Sequence, residues 1–237
     1  MKKAIVIGSS SGIGKELAIL LSQNGYKVGI TGRREKRLNE LVKTNPNLFI
    51  AQPFDCCNDS NITNLNELVH KLEGLDLLVF CSGTGDINNN LEYYIENNTN
   101  QLNVVAFTEI INWSYKYFKQ KTKGHIVTIT SIAGIRGSKF APAYNASKAF
   151  QINYLEGIRQ KVNQYKLPIT ITDIRPGFVD TAMAKGDGLF WIAPKKKAAK
   201  QILSSIINKK DISYVTKRWR LIAILLKLLP NRIYKLM

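Results

Sequence analysis

Short, almost entirely apolar runs alternate along the chain with longer segments whose apolar residues recur at helical spacing. The short runs lack the every-second-residue alternation of a half-solvated strand, so we expect both faces of each strand to be covered. The predicted strands are residues 3–7, 27–31, 47–52, 76–80, 125–130 and 168–174. Helices are predicted at residues including 12–24, 35–44, 62–72 and 143–165. This succession indicates an α/β fold, with a doubly wound parallel sheet and helices on both faces.

The first predicted strand is followed at once by a glycine-rich turn, Gly8-Ser-Ser-Ser-Gly-Ile-Gly14, which opens a predicted helix. Glycines let a backbone turn tightly and approach a pyrophosphate, and a helix N-terminus offers N–H groups and a positive dipole end to the same anion. A Gly/Ser-rich turn without a ligand would look similar. Its place at the first strand-to-helix turn favours a dinucleotide site.

The end of the second strand distinguishes between the two nicotinamide dinucleotides. An acidic residue there usually holds a ribose 2′-hydroxyl, whereas an arginine accommodates a 2′-phosphate. This chain has Arg33 and Arg34, and its acidic residue, Glu35, comes later. Two guanidinium groups suit a phosphate dianion, so NADP(H) is favoured over NAD(H). The alternative is that both arginines only begin a charged helix.

A third group of residues could carry chemistry. Tyr144 and Lys148 are one helical turn apart, so their side chains share a helix face. Ser131 lies where the fifth predicted strand leaves the sheet. A hydroxyl, a phenol and an ammonium can therefore converge at the carboxyl edge of the sheet, where α/β proteins bind ligands.

Taken together, these stretches resemble the short-chain dehydrogenase/reductase family over roughly residues 3–182. The matching pieces are the turn from Gly8 to Gly14, Asp55, Asn103 in "QLNVVAF", Ser131, Tyr144-xxx-Lys148 and "RPGFVDT" at 175–181. The resemblance implies a single Rossmann-type domain that interconverts a carbonyl and a secondary alcohol by hydride transfer.

The resemblance also implies roles for the matching residues. Tyr144 is the expected general acid, with its pKa lowered from about 10 by the Lys148 ammonium. Lys148 would also hold the nicotinamide ribose, and Ser131 would hydrogen-bond the substrate oxygen. Asn103 would hold a water that links Lys148 to solvent, or it is only a polar residue inside a helix.

Cofactor contacts are expected at the glycine turn and at the ends of the later strands. The residues are Gly8, Ser10, Ser11, Gly12, Ile13, Gly14, Arg33, Arg34, Asp55, Gly83, Tyr144, Lys148, Pro176, Gly177, Val179 and Thr181. The chain departs from the family pattern in two places. Ile7 replaces the usual threonine before the first glycine, and Phe80-Cys81-Ser82-Gly83 replaces Asn-Asn-Ala-Gly after the fourth strand.

The substrate is indicated only weakly. The family keeps a lid over the substrate in the stretch between Thr181 and Pro194, and here that stretch contains Phe190, Trp191 and Ile192. These residues favour an apolar substrate, although core contacts would explain them as well.

Charge is concentrated toward the C-terminus. The net charge is +17, and residues 190–237 contain twelve Lys or Arg but one acidic residue, Asp211. We divide the chain into a catalytic domain, residues 1–216, and a basic amphipathic helix, residues 217–237. On that helix Lys217, Arg220, Lys227 and Asn231 share one face, opposite Trp219, Ile222, Ala223, Leu226, Leu229 and Ile233.

The apolar run of this helix is too short to cross a bilayer, which takes about 20 residues. A broad apolar arc beside a basic stripe is typical of a helix lying on an anionic membrane. Packing on a neighbouring subunit or over the substrate mouth explains it too, because family members commonly form dimers or tetramers. We expect a homodimer or homotetramer and no nucleic-acid partner.

The remaining chemistry is sparse. The cysteines, Cys56, Cys57 and Cys81, have no disulfide-framework or metal-site spacing, and His70 and His125 lie far apart. The N-terminal apolar run stops at Gly8, sooner than in a secretory signal. We therefore expect no metal and a cytoplasmic protein that contacts a membrane at most peripherally.

The sequence supports an NADP(H)-dependent oxidoreductase with an apolar carbonyl or alcohol substrate. Two alternatives remain: a dinucleotide-binding sensor with weak or no turnover, which the altered Phe80-Cys81-Ser82 stretch favours, and a membrane or nucleic-acid adaptor built on the basic tail.

Overall fold

A parallel β-sheet forms the centre of the computed structural model, which describes residues 1–184 and 190–236. The strands are β1 (Lys2–Ile7), β2 (Tyr26–Gly32), β3 (Phe49–Pro53), β4 (Leu77–Phe80), β5 (Gly124–Ile129), β6 (Ile169–Pro176) and β7 (Ile212–Val215). Their order is β3-β2-β1-β4-β5-β6-β7, and every neighbouring pair is parallel. The predicted doubly wound parallel sheet is confirmed, with β7 as an additional short edge strand.

Helices cover both faces of this sheet. They are α1 (Gly12–Gln23), α2 (Glu35–Thr44), α3 (Asn61–Leu72), α4 (Tyr93–Asn100), α5 (Phe107–Lys121), α6 (Pro142–Gln164), α7 (Lys195–Ile207), α8 (Trp219–Leu228) and α9 (Asn231–Tyr234). One apolar core lies under α1, α2 and α7, and a second lies under α3, α5 and α6. The four helices predicted above are all present.

The buried strands explain why the apolar runs show no alternation. In β1, Ala4 and Val6 belong to the first core, whereas Ile5 and Ile7 belong to the second, and all four are fully buried. Successive side chains of a strand point to opposite faces, so a strand with a core on each side must be apolar at every position.

The chain reverses its direction of winding between β1 and β4. It runs from β1 to β2 and β3 on one side, then returns to place β4 on the other side of β1. The loops after β1 and β4 meet at this point, because a Cβ added to Gly8 would lie 2.6 Å from the Ser82 Oγ. A switch point of this kind leaves the crevice in which open α/β sheets bind ligands.

One continuous helical rod, residues 93–121, packs on one face of the sheet. α4 and α5 are joined by a π-helical turn, Gln101–Ala106, that contains Asn103. Phe107, the first residue of α5, packs edge-to-face on Phe80 at 5.3 Å between ring centroids. The rod is thereby fixed against the end of β4.

The C-terminal segment differs from the single helix expected over residues 217–237. Leu229 is extended and precedes Pro230, which disfavours helix at the residue before it, so α8 and α9 are separate. Trp219 and Ala223 of the expected apolar face are buried against the protein body, while Leu221 and Leu228 are 71% and 75% exposed. Within residues 1–184 and 190–236, no helix has the length and apolar character needed to cross a membrane.

Phe80 offers a test of the packing that positions the rod. Phe80→Ala removes a fully buried ring from between β4 and α5, so we expect the free energy of unfolding in urea to fall by about 3–5 kcal/mol. Phe140→Ala at a half-exposed ring is the control, with a change within about 0.5 kcal/mol. Equal effects of the two substitutions would contradict this packing.

Candidate active site

The glycine turn after β1 has the conformation that its residues predicted. Gly8 and Gly12 have positive φ angles of 85° and 58°, which side chains strongly disfavour. Gly14 lies against the turn, since a Cβ there would come within 2.2 Å of the Gly8 carbonyl oxygen. The Ser11 side chain makes no capping hydrogen bond at the start of α1, whose first N–H groups have no intrahelical acceptor. Ile13, which was expected to contact the cofactor, packs against the first core.

Two arginines and an aspartate lie beside this turn. The Arg34 guanidinium donates hydrogen bonds to the Ser10 hydroxyl at 2.8 Å and the Ser11 hydroxyl at 2.7 Å. Arg33 is 3.8 Å from an Asp55 carboxylate oxygen in an exposed pair. Partial burial, and then Arg37 and Arg33, lower the pKa of Arg34. An anion bound here would offset the repulsion among these neighbouring guanidinium groups.

Ser131 and Tyr144 are brought together at the end of β5. The Ser131 Oγ accepts a hydrogen bond from the Ala133 N–H at 3.1 Å, and the Ser131 side chain lies close enough to the Tyr144 phenol to lower its pKa. Tyr144 lies in the first turn of α6, which begins with Pro142, a favoured residue at a helix start. The structure thus brings the two groups into the contact that their spacing suggested.

In this arrangement the pKa of Tyr144 lies above its ordinary value, not below it. Burial raises the pKa of Tyr144, and the Ser131 hydrogen bond opposes that only in part. The Lys148 ammonium lies 5.9 Å from the centroid of the Tyr144 ring and forms its hydrogen bonds elsewhere. Desolvation therefore outweighs the effect of Ser131, and the phenol is protonated at neutral pH.

Lys148 is almost completely buried, with 3% of its surface exposed. Its Nζ donates to the Ile129 carbonyl at 3.3 Å and to the Gln151 Oε1 at 3.0 Å. Burial lowers the pKa of Lys148 to about 8, and the acidic groups Cys81 and Asp173 oppose that shift only in part. The group can therefore change charge near neutral pH.

Asn103 holds the loop after β4 in place. Its side chain accepts from the Thr84 N–H at 3.0 Å and donates to the Thr84 carbonyl at 2.7 Å and to the Ser147 hydroxyl at 3.0 Å. Its main-chain carbonyl accepts from the Gln151 Nε2 at 2.8 Å. Sequence reasoning missed Gln151, although a polar residue on the inner face of α6, three positions after Lys148, was a readable signal.

The loop after β4 approaches the Lys148 and Tyr144 side chains closely. A Cβ on Gly83 would lie 3.4 Å from the Lys148 Nζ, and one on Gly85 would lie 2.3 Å from the Tyr144 ring. Gly85 was also missed, and its signal was the second glycine in Cys81-Ser-Gly-Thr-Gly85. Burial raises the pKa of Cys81 to about 12, which keeps that thiol neutral.

The segment after β6 closes the other side of the site. Pro176 ends the strand, Val179 is buried, and Thr181 approaches the glycine turn, where a Cβ on Gly12 would lie 3.4 Å from its methyl group. Gly177 lies directly under Trp219 of α8.

Trp219 also contacts the described end of the expected lid. The centroid of its ring lies 5.4 Å from the ring centroid of Phe178, 5.0 Å from that of Phe190 and 5.8 Å from that of Trp191. Residues 185–189, in the middle of the expected lid, are outside the described residues.

Comparison with known proteins agrees with this geometry. The family model "short chain dehydrogenase" matches residues 2–188. An uncharacterised oxidoreductase of Staphylococcus saprophyticus is 32% identical over 219 residues, with 87% of this chain and 89% of the relative covered. A 3-oxoacyl-(acyl-carrier-protein) reductase of Buchnera aphidicola is 29% identical over 232 residues, with 91% of this chain and 93% of the relative covered.

The fold also matches a solved structure. A short chain dehydrogenase/reductase from Burkholderia phymatum, in complex with NAD, superposes with a TM-score of 0.84 at 16% identity and covers 94% of this chain and 92% of its own. Since the family model covers most of the chain and the sheet order and glycine turn agree with it, the protein belongs to the short-chain dehydrogenase/reductase family of oxidoreductases.

Proposed function

We propose that residues 1–216 form an NADP(H)-dependent oxidoreductase that interconverts a carbonyl and a secondary alcohol. The observation that carries the proposal is that Ser131, Tyr144 and Lys148 lie together at the carboxyl edge of the sheet, against the loop after β4. Lys148 lies one turn further along α6, beside Gly83. Acid, hydrogen-bond donor and cation thus surround one small volume next to the glycine turn.

The glycine turn fits the phosphates of a dinucleotide. Its positive φ angles and the α1 N-terminus without a side-chain cap present backbone N–H groups to an anion. Arg33 and Arg34 would hold a 2′-phosphate, for which Ser10 and Ser11 are neighbouring donors. Toward the other end, Lys148, Pro176, Gly177, Val179 and Thr181 would contact the nicotinamide half.

The Tyr144 phenol carries its proton at neutral pH, as the acid in a carbonyl reduction must. When bound, the nicotinamide group supplies the hydride that reaches the substrate carbon. Tyr144 donates its hydroxyl proton to the carbonyl oxygen, and Ser131 hydrogen-bonds the same oxygen as negative charge develops there. Overall, the carbonyl gains a hydride on carbon and a proton on oxygen and becomes an alcohol.

The substrate is proposed to be apolar. Phe190 and Trp191 extend from the aromatic cluster around Trp219 and remain close to half exposed beside the segment after β6. The family resemblance leads us to expect a homodimer or homotetramer. The dinucleotide-sensing alternative predicts NADPH binding without turnover of any carbonyl.

We also propose that the C-terminal segment rests on an anionic phospholipid membrane. On α8, Leu221, Ile224, Leu225 and Leu228 follow helical spacing and are all exposed, which defines an outward apolar stripe. Residues 217–236 contain no acidic residue, and their six basic residues are all exposed: Lys217, Arg218, Arg220, Lys227, Arg232 and Lys235. Basic side chains around an apolar stripe suit an anionic bilayer. If a second copy of the chain packed on this stripe, the basic residues of the two copies would repel each other.

Tyr144→Phe tests the proton donor. We expect the kcat for NADPH-dependent reduction, measured across short- and long-chain carbonyls, to fall by about 10²–10⁴-fold because the phenolic proton is lost. The Kd for NADPH should stay within about two-fold, since the ring remains. Tyr165→Phe at the exposed end of α6 is the control and should behave as wild type. Turnover retained in Tyr144→Phe would refute the assignment.

Replacing both arginines tests cofactor choice. The double variant Arg33→Ala/Arg34→Ala should lower kcat/KM for NADPH by about 10- to 100-fold, because charged hydrogen bonds to the 2′-phosphate are lost. The kcat/KM for NADH should change little. Lys36→Ala/Lys43→Ala removes the same charge from α2 and should leave the preference unchanged. A parallel loss with both cofactors would contradict selection by these arginines.

Vesicle sedimentation tests the membrane contact. Leu228→Glu should reduce binding to vesicles of anionic phospholipid by at least about 10-fold, because a charge replaces apolar surface in the stripe. Ile207→Glu, at another exposed apolar position, should bind like wild type. Binding that ignores salt and lipid charge would contradict the proposal. So would a Leu228→Glu variant that loses only self-association.

A further inference from the structure

A buried amide connects two parts of the candidate active site that lie on different elements. Gln151 has none of its surface exposed and lies on α6, three positions after Lys148. Its Oε1 accepts from the Lys148 Nζ at 3.0 Å, and its Nε2 donates to the Asn103 main-chain carbonyl at 2.8 Å. Both ends of the side chain are therefore used, one on each element.

The carbonyl that receives this bond lies in an irregular part of the helix. Asn103 lies in the π-helical turn between α4 and α5, where the regular i to i−4 hydrogen-bond ladder is interrupted. The Asn103 side chain is fixed in turn by Thr84 and Ser147. Gln151 is thus anchored on a rigid support while it holds the ammonium.

We propose that Gln151 is a positioning residue, which aims the Lys148 ammonium and stabilises its charged form by tying it to the main-chain carbonyl of Asn103. This inference rests on the proposed function, because it assigns a role to the environment of the proposed catalytic lysine. A side-chain amide accepts from an ammonium but holds its own protons firmly. The contact therefore orients Lys148 and does not carry a proton from it.

The charged form needs this acceptor because Lys148 is deeply buried. Three titratable groups face it: Tyr144 on α6, Cys81 after β4 and Asp173 on β6. Asp173 is already engaged by Arg175 at 2.6 Å and by Thr130 at 2.5 Å, and burial keeps the Cys81 thiol neutral. Of the described contacts of Nζ, Gln151 supplies the shorter one, and the other is the Ile129 carbonyl at 3.3 Å.

The sign of the expected pH effect follows from the acceptor. Burial lowers the pKa of Lys148 to about 8, and a hydrogen bond accepted from the ammonium opposes that shift. Removing the acceptor lowers the pKa of Lys148 further, so the charged form is lost at a lower pH. Activity that depends on the ammonium then falls earlier as the pH rises.

The test compares Gln151→Met, which keeps length and volume but loses the acceptor, with wild type. The alkaline limb of kcat/KM for NADPH should move down by about one pH unit. Gln151→Glu retains an acceptor that can carry negative charge, so its limb should lie at or above that of wild type. Gln160→Met, on the exposed face of α6, should leave the profile unchanged.

A measurement without turnover separates this inference from the proposed function. NMR titration of ¹³Cε-labelled lysine, with the Lys148 signal assigned by its loss in Lys148→Arg, reports the pKa of Lys148 directly. A lower pKa in Gln151→Met supports the contact even if the protein reduces no carbonyl. If Lys148 titrates alike in wild type and Gln151→Met, and a lower kcat/KM comes without a shifted limb, the amide only fills space and the inference is overturned.

Discussion

The burial of the Lys148 ammonium is the constraint on which the rest of the site depends. A cation this deep in a protein is costly unless its hydrogen bonds are made, and here a strand carbonyl and a side-chain amide accept them. β5, the π-helical turn and α6 must therefore be correctly placed relative to one another for these acceptors to reach the Lys148 Nζ. Because Tyr144 precedes Lys148 on the same helix, the arrangement that holds the ammonium also sets the position of the phenol.

Much of the fold could be predicted from the sequence, because both faces of the sheet are covered and the strands are therefore apolar throughout. The glycine turn was recognisable because positive φ at Gly8 and Gly12 leaves few alternatives to glycine. The short edge strand β7 was missed because Ile212–Val215 is neither fully apolar nor cleanly alternating. The grouping of Ser131 with Tyr144 followed from strand ends that meet at one edge of the sheet.

Three features could not be predicted, for related reasons. The direction of the Tyr144 pKa depends on how completely the phenol is desolvated, which spacing along a helix does not reveal. The role of Gln151 depends on a carbonyl almost fifty residues away in sequence. The outward face of α8 depends on which side chains the protein body covers: Trp219 packs on Gly177, so the leucines next to it are exposed.

The C-terminal segment is also attached to the loops that border the site. Trp219 covers Gly177, and in α9 the Asn231 side chain accepts a hydrogen bond from Arg136 at 3.0 Å, while Tyr234 donates to the Gly137 carbonyl. The C-terminal segment therefore contacts both of these loops through packed side chains. That arrangement connects the proposed membrane surface with the proposed substrate side of the sheet.

The central claim is that this site transfers a hydride from NADPH to a carbonyl carbon, with the Tyr144 phenol as the proton donor. The most direct measurement follows NADPH that carries deuterium in its transferable nicotinamide position, incubated with wild-type protein and a broad set of carbonyls. The account predicts an alcohol with deuterium on the carbinol carbon. Tight NADPH binding with no deuterium in any product would contradict it.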